Sequence, residues 1–99
     1  MEKNRASMAL QILALSVEND KRIEAVDKVI AYIQSTGLDY EVAAFETTIE
    51  GDLAQLMEVL EEAIRIASQV DPRIFANVKV HYNAQGNVLS IDEKVSKHR

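Results

Sequence analysis

The sequence contains no cysteine, one proline and three glycines. Without cysteine, disulfide frameworks, Cys-ligated zinc, iron–sulfur clusters and thiol catalysis are excluded by inventory. No apolar run approaches the ~20 residues of a membrane span, and residues 1–7 lack the apolar stretch of a signal peptide. The chain therefore reads as cytoplasmic, with no membrane insertion. Positive charge is scarce as well: 11 Lys+Arg stand against 16 Asp+Glu, a net charge of −5. Such a field repels polyphosphate and anionic lipid, so nucleic acid is not the expected partner. What is present is 99 residues, 47% apolar and 27% charged, which suits one domain with one core. Residues 1–7 read as a flexible tail and residues 8–99 as the domain.

The domain alternates between two periodicities. Met8 to Ser16 is a short apolar run, the length of a strand buried on most of both faces. From Lys21, Ile23, Val26, Ile30 and Ile33 recur at helical spacing, with Asn19 or Asp20 as N-cap and Gly37 as the left-handed stop. Tyr40 to Gly51 predicts two strands around a tight bend that lacks the usual hairpin residues. Asp52 opens a second helix with Gln55 as capping-box partner, and Leu53, Leu56, Met57, Leu60, Ile64 and Ala67 form its apolar stripe. Pro72 ends that helix near Val70. Ile74 to Tyr82 alternates as a strand with one buried face, residues 83–87 turn, and Ser90 with Glu93 opens a short C-terminal helix through Lys97.

The order β-α-β-β-α-β plus a terminal helix predicts an α+β, ferredoxin-like sandwich, with two helices on one face of a four-stranded antiparallel sheet. If Ile12, Val42, Ile49 and Val78 face the helices, alternation sends Gln11, Leu13, Ala43, Thr48, Glu50, Asn77 and Lys79 to the other face. Leu13, Leu15 and Phe45 or Phe75 would make that face too apolar for a monomer. A homodimer or homotetramer packed through the open face and edge strands is the economical explanation.

This topology hosts many activities, so function must come from particular residues. The outward positions lack the stacking aromatics and basic surround of an RNA-binding module. Ser16 to Asp20 offers only oxygen ligands, against soft-metal carriage, and has neither the arginine nor the glycine of a phosphate loop. His81 and His98 have no second histidine at ligand spacing, so no metal site is expected. The serines show no nucleophile motif, and no covalent catalysis is expected. What remains is Thr47-Thr48-Ile49-Glu50-Gly51, running into the second helix at Asp52. It reads either as ordinary strand residues with a solvated carboxylate, or as a binding strand. In the second reading Thr48 and Glu50 on the open face accept bonds from an aminated or cationic heteroaromatic ring, with Tyr40 nearby to stack or cap. An enzyme using Glu50 as general base would need a second acid, and none is evident.

Tyr40-Glu41-Val42, Thr47 to Asp52, Leu56-Met57-Glu58 and the closing Asp92-Glu93-Lys94-Val95-Ser96-Lys97 resemble the small thiamine-binding, YkoF-like family over nearly the whole chain. The Thr-x-Ile/Val-Glu-Gly string combined with the Glu-Lys-Val-Ser-Lys ending is more specific than either part. The resemblance implies homo-oligomers that bind thiamine or its hydroxymethylpyrimidine half without catalysis and without a cofactor, in thiamine salvage or transport. Carried over residue by residue, it implies ligand-binding roles for Thr47, Thr48, Glu50 and Tyr40, with Ser16 and Asn19 as secondary candidates. Glu93 and Lys94 read as a structural clamp or an oligomer contact. The alternative is an oligomeric regulatory or scaffolding module that senses another small metabolite.

Overall fold

The computed structural model of the protein describes residues 6–86 and 88–99. The elements are β1 (Ala6–Ala14), α1 (Asn19–Ser35), β2 (Tyr40–Val42), β3 (Thr47–Gly51), α2 (Leu53–Ser68), β4 (Ile74–Tyr82) and α3 (Ile91–Val95), followed by a 3-10 turn at Ser96–His98. The strands pair antiparallel in the order β2-β3-β1-β4. This is the α+β ferredoxin-like sandwich, with the short terminal helix that the element order predicts. Residues 1–5 of the expected tail, and Asn87 of the expected turn, lie outside the described residues. Ala6 and Ser7 belong to β1, opposite Gly51 and Glu50 of β3.

Register assigns the faces. On β1, Ala6, Met8, Leu10, Ile12 and Ala14 are buried in the core together with Ile49 of β3. Against them α1 packs Ala25, Val29 and Ile33, and α2 packs Leu56, Val59, Ala63 and Ala67. Both helices are rotated from the stripes that periodicity predicts. Ile23 is 61% exposed, and Val26, Leu53, Met57 and Ile64 are each exposed by more than a third. Three of the seven buried helix residues are alanine, so small side chains face inward and let the helices sit close to the sheet. A periodicity weighted by bulk selects the flanking residues instead.

Local chemistry sets the element ends. α1 starts after Glu18, whose carbonyl accepts from Arg22 N–H at 2.9 Å and whose side chain makes no cap, while the Asp20 carboxylate, one residue inside the helix, accepts from Lys21 N–H at 2.9 Å. Gly37, at φ 77°, supplies the left-handed stop. Asp52 N–H donates to Gln55 Oε1 at 2.9 Å, and Ser90 and Glu93 cap α3 reciprocally at 2.9 and 3.0 Å. Beyond α2, Asp71 is fully buried. Its Oδ1 accepts from Arg73 N–H at 2.9 Å and its Oδ2 from Ser16 N–H at 2.7 Å, tying the end of β1 to the start of β4. The Arg73 N–H above all, then that of Ser16 and the charges of Arg73 and Arg22, hold its carboxyl below the usual range against the cost of burial.

Candidate ligand site

The sheet face turned away from α1 and α2 forms a grid. One row across the four strands reads Glu41, Thr48, Ala9, Lys79, and the next reads Glu50, Ser7, His81. In the other direction lie Gln11 and Asn77, joined by a 3.0 Å side-chain hydrogen bond, and then the apolar pair Leu13 and Phe75. The face is therefore polar at one end and apolar at the other. Gln11, Leu13, Thr48, Glu50, Asn77 and Lys79 stand on it as alternation predicts, whereas Ala43 falls in the β2–β3 bend.

α3 lies over the polar end. Ala9 and Ser7 are short, so the middle of the sheet is hollow there, and the helix spans the hollow instead of filling it. The result is a cavity of about 310 Å³. Ser7, Ala9, Thr48, Lys79 and His81 line its floor, Glu41 and Glu46 its β2 side, and Ile91, Lys94 and Val95 its roof. Val88 and Ile91 are buried by this packing. Two polar ties hold the roof. The Glu50 carboxylate accepts from Ile91 N–H, and the Arg99 guanidinium bonds both Glu41 and Asp92. Lys79 Nζ meets Glu46 Oε1 at 3.4 Å, an ion pair that crosses the sheet.

Glu50 is only 5% exposed. Burial pushes its carboxyl above the usual range, with help from Asp39 and Glu93, and outweighs the opposing Ile91 N–H and Lys94. The six expected site residues separate into three groups. Thr48 lines the cavity, and Glu50 sits beside it beneath α3. Thr47 and Tyr40 are in register with Leu10 and Ile49, so they turn to the helix-covered face. Ser16 and Asn19 lie beyond the far end of β1, about 30 Å from Ser7 at 3.3 Å per residue.

The polar pocket residues that the sequence does not assign to a ligand are Ser7, Glu41, Glu46, Lys79, His81 and Lys94, the last of which it reads as a clamp or an oligomer contact. Strand alternation already sends Lys79 and His81 to one face. Their meeting with Thr48 depends on strand order, which brings β4 and β3 to the two sides of β1. Among the described residues no cluster of three or more His, Cys, Asp or Glu could hold a metal ion, and no helix is long and apolar enough to cross a membrane.

Residues 8–99 match the family described as thiamine-binding protein. The chain belongs to that family. It is 42% identical over 94 residues to a UPF0045 protein of Clostridium perfringens, covering 94% of this chain and 96% of that one. A solved Streptococcus pneumoniae protein is 44% identical, with a TM-score of 0.81 over 93% of this chain and 98% of that one. A Thermotoga maritima structure, proposed to be a thiamine biosynthesis/salvage protein, is 32% identical, with a TM-score of 0.83 over 96% of this chain and 99% of that one. The resemblance read from the Thr47 to Asp52 string and the closing helix thus identifies the family correctly.

Proposed function

We propose that the protein binds thiamine, or its hydroxymethylpyrimidine half, reversibly in the cavity between the sheet and α3. It serves as a non-catalytic, cytoplasmic carrier or sensor in thiamine salvage or transport. The observation that carries this reading is a 310 Å³ cavity, walled by Glu41, Glu46 and Thr48, in a member of the thiamine-binding family. That volume is at the lower end of the ~300–1,000 Å³ of small-molecule sites. A carboxylate accepts from the amino group of the pyrimidine and attracts a thiazolium, and the Thr48 hydroxyl donates to a ring nitrogen. Glu50 acts one step removed, by holding α3 over the ligand. No bond is made or broken. The salvage assignment draws support from the Thermotoga neighbour.

The apolar end of the same face leaves Leu13, Leu15 and Phe75 exposed by 37, 43 and 52%. This supports a homodimer or homotetramer built through the open face and edge strands. Light scattering that returns the monomer mass would refute the assembly. Binding is tested by isothermal titration of protein unfolded and refolded to strip carried-over ligand, first with thiamine and then with hydroxymethylpyrimidine. Saturable heat with either supports the proposal. Silence with both overturns it and favours the regulatory or scaffolding module.

A further inference from the structure

The cavity has two electrical ends. On the β2 side stand the carboxylates Glu41 and Glu46. Toward β4 and the roof stand Lys79, His81 and Lys94, around the hydroxyl of Ser7. Ser7 is 5% exposed, and among the described residues its hydroxyl has no hydrogen-bond partner. Lys94 closes no ion pair among the described residues, although its charge is felt by Glu50. Among the described residues Lys79 is paired with Glu46 alone, and its side chain is 78% exposed. A neutral or singly cationic ligand uses the acidic end and leaves two ammonium groups, an imidazole and the Ser7 hydroxyl at the cavity floor unused.

We infer that the cavity selects the phosphate monoester of its ligand, with the phosphate seated on Ser7, Lys79, His81 and Lys94 and the aminated ring turned to Glu41 and Glu46. This rests on the proposed function, and names the chemical class that the same site prefers. A phosphate monoester carries about −1.5 to −2 charges near neutral pH, and ammonium donors form charge-assisted bonds to its oxygens. On binding, Lys79 exchanges Glu46 for phosphate, which frees the Glu46 carboxylate to accept from the amino group of the ring. The chain's net charge of −5 does not decide the matter. Charges beyond about 8–10 Å are screened at physiological salt, so the nearby cations dominate.

The test is titration of the refolded protein with thiamine and thiamine monophosphate, and with hydroxymethylpyrimidine and its monophosphate, at low and at physiological salt. The inference expects one ester to bind at least tenfold tighter than its parent alcohol, and the pair that shows the preference identifies the ligand. The ratio should shrink with salt, and should fall toward one in Lys94→Gln and Lys79→Gln, both at exposed side chains that folding does not need. Equal or weaker binding of the esters overturns the inference and leaves the binding proposal standing. A preference that persists in both lysine variants places the phosphate elsewhere and also overturns it. If none of the four ligands binds, the proposed function fails and the inference fails with it.

Discussion

Two substitutions at Glu50 separate the value of its hydrogen bond from the cost of its charge. The carboxylate is 5% exposed and accepts from Ile91 N–H, in the first turn of α3. Glu50→Ala leaves that donor without a partner under cover, a loss of about 1–3 kcal/mol. Local opening of α3 should therefore become about 5–150-fold more frequent. Glu50→Gln keeps a carbonyl oxygen for Ile91 and drops the charge. Burial, above all, raises the Glu50 carboxyl, so the fold disfavours its ionised form. Glutamine should then be at least as stable as glutamate at pH 7. Because the folded pKa lies above the unfolded one, the stability it contributes is fully present below the unfolded value and lost as pH rises through the folded one. The parent's deficit against Glu50→Gln should therefore close on acidification. Amide hydrogen exchange over residues 91–95 reads the alanine variant, and thermal unfolding between about pH 4 and 7 reads both. Unchanged α3 protection in Glu50→Ala, or equal destabilisation by glutamine and alanine at pH 7, would refute the reasoning.

Other positions test the packing and the loops. Leu56 is completely buried between α2 and the sheet, so Leu56→Ala should cost about 2–5 kcal/mol by urea titration. Ile23→Ala, at a side chain 61% exposed, should stay within about 0.5 kcal/mol. Comparable losses at both sites would mean that α1 is not rotated as described. Gly37→Ala should cost about 1–2 kcal/mol, because φ is 77° and no atom lies within 4 Å of the added methyl, so the penalty is purely conformational. A neutral result in thermal melts would contradict the left-handed stop. Asp71 has a lowered carboxyl, so its contribution is present above the ordinary aspartate value and is lost as pH falls through the folded one. The gap in melting temperature between the parent and Asp71→Asn should narrow below about pH 4, and a gap independent of pH would argue against the two backbone bonds.

The order of elements was legible because each one carries its own period and punctuation. Pro72, Gly37 and the Ser90–Glu93 box act through residues near in sequence, and the structure uses each as the sequence predicts. The helix stripes were less legible. Ala25, Ala63 and Ala67 carry little hydrophobic signal, yet they face the sheet, since closeness of approach decides the rotation and a sum over side-chain hydrophobicity does not contain it. The N-cap of α1 shows a related limit. Asn19 and Asp20 have the right chemistry, but the helix begins one residue earlier, at a glutamate whose carbonyl starts the ladder.

The site was half legible for a different reason. Thr48 and Glu50 share a face by alternation, which is local, and the structure keeps them together. The family resemblance groups Thr47 and Tyr40 with them, and the two-residue period that places Thr48 and Glu50 outward turns Thr47 toward the helices. Lys79, His81 and Lys94 reach the cavity across 30 or more residues of chain from Thr48, through strand order and the return of α3. The return of α3 also changes what the second face does. A bare sheet would have offered one partly apolar surface to a second copy. With α3 latched to Glu50 and Glu41, through Ile91 N–H and Arg99, the polar end becomes a partly roofed pocket, while Leu13, Leu15 and Phe75 stay exposed at the apolar end. The proposed function puts binding and assembly at opposite ends of one face, so substitutions under α3 should alter ligand affinity without altering mass, and substitutions at Phe75 should do the reverse.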